Sequence, residues 1–144
     1  MDELRAWLAK SAIAELITRY ANLLDTGDWD AVAALYAEDG RMSRPTAPDE
    51  FIAGRSAILA SFKARPPRTT RHIVANVLVT LESEALAIAT SQILLYTGGG
   101  DAGGLPLLVA AAPLVGSYRD RLVCTELGWR FAERRGSLDF RPVP

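Results

Sequence analysis

The amino-acid sequence predicts an α+β domain, and two observations carry that prediction. Through the first part of the chain, as far as Ala64, apolar residues recur at threes and fours, the spacing of helices with one buried face. After residue 70 the pattern changes to alternation in twos, rich in Val, Ile, Leu and Thr, as in strands. Helices followed by a run of antiparallel strands place the helices against one face of a sheet.

The first helix is predicted from Leu4 to Leu24, on a stripe that includes Trp7, Ile13, Leu16, Ile17, Tyr20 and Leu24. Gly27 ends it by accepting a left-handed backbone, and Asp28 is placed to cap the next helix. Trp29, Val32, Leu35 and Tyr36 form the stripe of that second helix, predicted to stop near Asp39-Gly40. A short strand over Arg41–Arg44 precedes a loop from Pro45 to Glu50, where prolines fix the backbone and remove donors. The third helix runs from Arg55 to Ala64 with Ile58, Leu59 and Phe62 inward, and Pro66-Pro67 closes it.

Four strands follow, predicted over His72–Glu82, Leu86–Thr97, Leu107–Thr125 (broken near Pro113) and Gly128–Leu138. The Ser83-Glu84 turn makes the first two a hairpin, and a glycine-rich loop, Gly98–Gly104, leads to the third. That loop lacks the strand-to-helix setting of a phosphate-binding loop. Strict alternation puts His72, Val74, Asn76 and Leu78 on one face and Ile73, Ala75, Val77 and Val79 on the other. Both faces are largely apolar, so one is expected to cover the core or a cavity and the other to meet a second subunit, in a homodimer or homotrimer.

Bulk properties narrow the function. A chain of 144 residues, 49% hydrophobic, is the size of one domain spanning residues 1–144. Sixteen basic and 17 acidic side chains leave a net charge of −1, too little positive field to hold nucleic acid. A small hydrophobic ligand is the expected partner. The single cysteine, Cys124, forms no intrachain disulfide and suits a reducing compartment; it reads as inert packing. The acidic start Met1-Asp-Glu lacks the shape of a signal peptide, so a cytoplasmic location is expected. The low-charge stretch Thr97–Ser117 holds two prolines and six glycines, which argues against a membrane span.

Chemistry rests on few residues. His72 is the only histidine, and a neutral imidazole takes up a proton near pH 7 when a carboxylate fixes its tautomer. Asp25 has the chemical type for that partner, and the Tyr20 hydroxyl for a donor to a developing oxyanion. The alternatives stand beside these roles: Asp25 as a turn residue, His72 as a satisfied polar group at a strand end, Tyr20 as core. Asn76 either anchors a ligand polar group or holds neighbouring backbone. Arg119-Asp-Arg121 and Arg134-Arg135 read as solvated strand residues with cross-strand ion pairs. With one histidine and one cysteine, no protein-bound metal and no cofactor are expected.

The stretches Ile17–Asp39, Thr70–Asn76, Gly116–Leu122 and Gly128–Arg134 together resemble the SnoaL-like families of the nuclear-transport-factor-2-like superfamily. The resemblance covers nearly the whole chain. It implies a cone-shaped domain in which a strongly curved, mostly antiparallel sheet wraps around the long first helix and two shorter ones, leaving one pocket. Within the superfamily the pattern is similar to that of scytalone dehydratase and bile-acid 7α-dehydratase, which implies Asp25 beside His72 with Tyr20 near the substrate oxygen. Tyr36, Phe62, Asn76 and Trp129 are the expected ligand-binding residues. Two departures are visible: Leu24 replaces a tyrosine beside the aspartate, and a second pocket histidine is missing. The ketosteroid-isomerase carboxylate before a proline corresponds to Arg44. The resemblance implies a cofactor-independent dehydratase or isomerase acting on a hydrophobic cyclic molecule, with a non-catalytic binding or assembly subunit as the alternative.

Overall fold

The computed structural model describes residues 1–98, 104–109 and 111–144. Helix α1 (Glu3–Thr26) is capped by Asp2, whose side chain accepts from the Arg5 backbone, and is closed by Gly27 at φ +72°. Ile13, Leu16, Ile17, Tyr20, Ala21 and Leu24 are its buried residues. The stripe is therefore used only from the fourth turn onward: Leu4 and Trp7 are 66% and 65% exposed.

Helix α2 (Trp29–Ala34) is shorter than its apolar stripe predicts. Leu35 ends it because its carbonyl accepts the Phe131 amide at 2.9 Å, and Tyr36 then begins strand β1 (Tyr36–Arg44), paired in parallel with β6 (Gly128–Phe140). Tyr36 thus lies on a strand rather than a helix; sheet pairing outcompetes the local helical preference. Strand β2 (Ala47–Ala53) replaces most of the predicted loop. It is an edge strand, where Pro48 is tolerated. Helix α3 (Arg55–Lys63) buries Ile58 and Phe62 as expected.

Strands β3 (Thr69–Leu81), β4 (Leu86–Gly98) and β5 (Leu114–Thr125) complete a curved six-stranded sheet in the order β2-β1-β6-β5-β4-β3. Every neighbouring pair is antiparallel except β1 with β6. The glycine-rich loop falls mostly outside the described residues, and β5 starts only after Pro113. Cys124 is exposed on β5 rather than packed.

Strand β3 departs from strict alternation. Its register with β4 slips between Ala75 and Leu78, and Asn76 takes φ +53°. One extra residue in the strand reverses the sense of every side chain beyond it. Thr70, His72 and Val74 therefore face the concave side before the bulge, and Val77, Val79 and Leu81 face it after. Asn76 and Leu78 are exposed, correcting the face assigned to both. On the outer face Ile73 stands directly opposite Leu94, both exposed in the single chain.

The core lies between α1 and the concave face, around Ile13, Ile17, Tyr36, Leu122 and Phe131. Gly136 is required where β6 passes under the β1–β2 turn: a Cβ there would stand 2.7 Å from Pro45. This close approach seats the turn, and Arg44 before it, against the sheet.

The left-handed Asn76 gives a prediction. Asn76→Gly should keep stability within about 0.5 kcal/mol, whereas Asn76→Val should lose about 1–2 kcal/mol because a β-branched residue is strained at positive φ. Chemical denaturation of both variants measures this, and equal stability would show that the bulge is not fixed there.

Candidate active site

Asp25 occupies the last turn of α1, a position where the helix dipole disfavours a negative charge. Its compensation comes from the start of β3. The His72 backbone N–H donates to both carboxylate oxygens at 2.9 and 3.2 Å, the Thr70 hydroxyl donates at 3.0 Å, and the Arg71 guanidinium stands 3.9 Å away. The fourth partner is the His72 ring, whose Nδ1 lies 2.6 Å from Asp25 Oδ1. Both side chains are largely buried, at 9% exposure for His72 and 4% for Asp25.

An ionised carboxylate only accepts, so the pairing assigns the proton to Nδ1 and leaves the Nε2 lone pair for a ligand. Burial holds the His72 pKa below the usual histidine value; Asp25 opposes this through its hydrogen bond and charge, while Arg68 and Arg65 reinforce it. Desolvation and two nearby cations together outweigh the single carboxylate. The imidazole is therefore neutral at pH 7 and able to accept a proton.

His72 lines two adjoining cavities of about 380 and 370 Å³ that share Leu24, Arg65, Pro66 and Arg68. The first runs along the end of α1, past Trp29 and Pro67. The second enters the cone and is walled by Tyr20, Phe62, Ile93, Leu95, Tyr118 and Leu138. Phe62 also stacks on Trp29, with centroids 5.3 Å apart and planes 12° apart.

Tyr20 lines the inner cavity with its hydroxyl 2.9 Å from that of Tyr36 and 3.7 Å from Met42 Sδ. Burial raises its pKa well above the ordinary phenol value, so it stays a neutral donor. Tyr36 is fully buried and lines neither cavity; it reaches the site through Tyr20, while its carbonyl accepts two hydrogen bonds from Arg55. Asn76 hydrogen-bonds Gln92 on the opposite, outer face of the sheet. Trp129 packs against the core at the end of β6 remote from Leu138 and lines neither cavity.

Below Tyr20 and Tyr118 lies a buried ion pair, masked in the sequence by charged neighbours and by a register shift in β6. Asp120 and Arg134 face each other across the strands with Oδ1 and Nε 3.1 Å apart, at ion-pair distance but without the alignment of a hydrogen bond. They are not solvated, as the sequence suggests, but buried. The Arg134 guanidinium lies 3.7 Å from the Tyr118 ring centroid and 4.4 Å from that of Tyr20. It holds both tyrosine rings by cation–π attraction. Burial pushes the Asp120 carboxyl up to about 6 against the opposing pull of Arg134. Sequence reasoning also passes over Thr70, Arg65, Arg68 and Tyr118, and marks Arg44 only as the residue at the ketosteroid-isomerase carboxylate position. Their signal is faint: the prolines beside Arg44, Arg65 and Arg68, and a tyrosine at an inward strand position.

Among the described residues no three His, Cys, Asp or Glu side chains gather as a metal site requires, and no helix is long and apolar enough to cross a membrane.

A curved mixed sheet closed over a long helix, with a histidine and a carboxylate paired at the cavity where the two meet, defines a cone-shaped α+β pocket protein. The chain belongs to the SnoaL-like domain family, whose pattern matches residues 5–135. No curated protein matches it in sequence. Among solved structures it is similar to an NTF2-like protein with a cystatin-like fold from Novosphingobium aromaticivorans: 26% identity, 94% of this chain and 85% of that one, TM-score 0.78. A protein from N. aromaticivorans DSM 12444, provisionally named a scytalone dehydratase, shares 24% identity over 94% and 87% of the chains, with a TM-score of 0.78. A hexachlorocyclohexane dehydrochlorinase, LinA type 2, shares the fold at 13% identity over 99% and 94%, with a TM-score of 0.80.

Two predictions follow from the geometry. As the only histidine, His72 should titrate as one resolved ring in proton NMR, with a midpoint below 6.5, and Asp25→Asn should lower it further by removing the partner that favours the cation. A wild-type midpoint at or above 6.5 would contradict the balance of burial over pairing. In linkage terms, the unfolded histidine binds its proton first as pH falls, so His72 withdraws stability between about 6.5 and its lower folded value. Asp120, raised when folded, acts in the opposite sense below about 6.

The second concerns the buried ion pair. Arg134→Met should cost about 3–5 kcal/mol in denaturant unfolding by stranding Asp120, and adding Asp120→Leu should recover much of the loss. A double variant no more stable than the single one would mean that Arg134 stabilises chiefly through the aromatic rings.

Proposed function

We propose that the protein is a cofactor-independent lyase of the dehydratase type, or an isomerase, acting on a hydrophobic cyclic small molecule. The observation that carries this reading is the 2.6 Å contact between His72 Nδ1 and Asp25 Oδ1 at the wall of an apolar cavity. His72 Nε2 removes a proton from the carbon next to a ring carbonyl, and the C–H electron pair passes to the carbonyl oxygen as an enolate. Asp25 orients the ring and balances the imidazolium charge. Tyr20, accepting from Tyr36, donates a hydrogen bond to the developing oxyanion and keeps its proton.

In a dehydration the enolate electrons re-form the carbonyl and make a C=C bond as the β C–O bond breaks. His72 returns its proton to the departing hydroxyl, which leaves as water. One residue acting as base and then acid on one face of the ring gives syn elimination. In an isomerisation the same proton is returned to carbon. The names of two structural relatives, a dehydratase and a dehydrochlorinase, both describe eliminations and support the first course.

The test uses bicyclic β-hydroxy ketones of the tetralone type, following α-proton exchange in D2O and loss of water by NMR. His72→Gln should slow both by about 10²- to 10⁴-fold. Asp25→Asn should slow them by a smaller factor, with its pH–rate profile displaced toward acid. Near wild-type rates in both variants would sink the proposal and leave a binding or assembly role.

A further inference from the structure

The mouth of the inner cavity carries more positive charge than proton transfer requires. Arg44, Arg65 and Arg68 line that cavity together with His72, Arg68 exposed and the other two half-buried. Three arginines of β1 and β6 do face carboxylates: Arg41 is 2.9 Å from Glu133, and Arg134 and Arg135 are each 3.1 Å from an aspartate. Among the described residues no carboxylate stands within ion-pair distance of Arg44, Arg65 or Arg68. Arg44 gives one N–H to the Ser61 carbonyl at 3.1 Å, while its buried Nε has no partner. Arg65, half-buried, lies with its guanidinium 4.4 Å from the Phe62 ring centroid. Burial, and then the charge of Arg44 and Arg68, hold the Arg65 pKa below its ordinary value.

Three guanidinium groups gathered without a counter-charge are mutually repulsive, and in a chain of net charge −1 that arrangement is not a by-product of composition. We propose that Arg44, Arg65 and Arg68 form an anion-recognising rim, so that the substrate is a ring system carrying a carboxylate, with its apolar body inside and its acid at the mouth. The inference rests on reading the cavity as a substrate site and adds the substrate class.

Guanidinium forks match a carboxylate two N–H groups at a time. Behind them, Phe62, Ile93, Leu95, Leu114 and Leu138 offer only apolar contact, in a volume of about 370 Å³ suited to two or three fused rings. Two of these cations, Arg68 and Arg65, disfavour the His72 imidazolium. A bound carboxylate offsets that field, so the acid group prepares His72 to hold a proton during turnover.

The experiment measures the affinity of the whole protein by calorimetry for 2-naphthoate and anthracene-2-carboxylate, each against its primary amide. Both acids are expected to bind at least tenfold more tightly than their amides. The preference should fall below threefold in Arg65→Gln/Arg68→Gln, fall partway in Arg68→Gln alone, and persist in Arg119→Gln, on the outer face. Because Arg68 is exposed, its single variant keeps the test open if the double variant fails to fold. Equal affinity for acid and amide, a preference that survives both rim variants, or no binding of any probe at millimolar concentration overturns the proposal. His72→Gln separates the two readings. Loss of turnover without an acid preference in any variant rejects the rim alone, whereas an acid preference with turnover untouched by His72→Gln rejects the proton-transfer role alone.

Discussion

The Asp25 carboxylate joins the two halves of the molecule. It is the last acid of α1, and every polar group that satisfies it comes from the opening residues of β3. A buried charge at the unfavourable end of a helix dipole persists only when paired and hydrogen-bonded. The backbone amide of His72 and the hydroxyl of Thr70 meet that requirement while fixing the strand against the helix. The ring of His72 is then aimed by the same carboxylate. Structural pinning and the orientation of a proton acceptor are one set of hydrogen bonds.

Around this joint the electrostatics are graded. His72 is kept neutral by burial and by arginines at the cavity mouth, with Asp25 pulling the other way. Deeper in, Tyr20 and Tyr118 are held as neutral phenols by burial over a guanidinium that is balanced by Asp120. The inner cavity thus combines arginines, a neutral imidazole, apolar side chains and tyrosines kept un-ionised.

Much of this was legible in the residues and some was not. The long helix, its glycine stop, the third helix and the β3–β4 hairpin follow from periodicity and turn chemistry, which act locally. The early end of α2 at Leu35 was not legible, because it depends on the Phe131 amide nearly a hundred residues away. Asp25, His72 and Tyr20 stood out through residue type and resemblance, and they fall at the cavity. Asn76 and Trp129 do not. The displacement of Asn76 comes from a single-residue bulge that alternation cannot foresee, since the pattern is apolar on both sides of it. Asp120 and Arg134 read as solvated charges because their neighbours Arg119, Arg121 and Arg135 are charged too; alternation sets Asp120 beside Tyr118 and Leu122, but Arg134 joins them only through the extra residue of β6 between Phe131 and Glu133. Arg44 ends β1 while Arg65 and Arg68 share the connection from α3 to β3, and the meeting of those two segments is purely tertiary.

The bulge in β3 has one more consequence. It divides a continuous strand into two inward-facing runs: Thr70 and His72 at the cavities with Val74 against the core, then Val77, Val79 and Leu81 in the packed core. Because the side-chain register is reset between them, a polar substitution in the first run does not have to be matched by repacking in the second. The strand thus carries two inward registers in series, with Asn76 as the boundary between them.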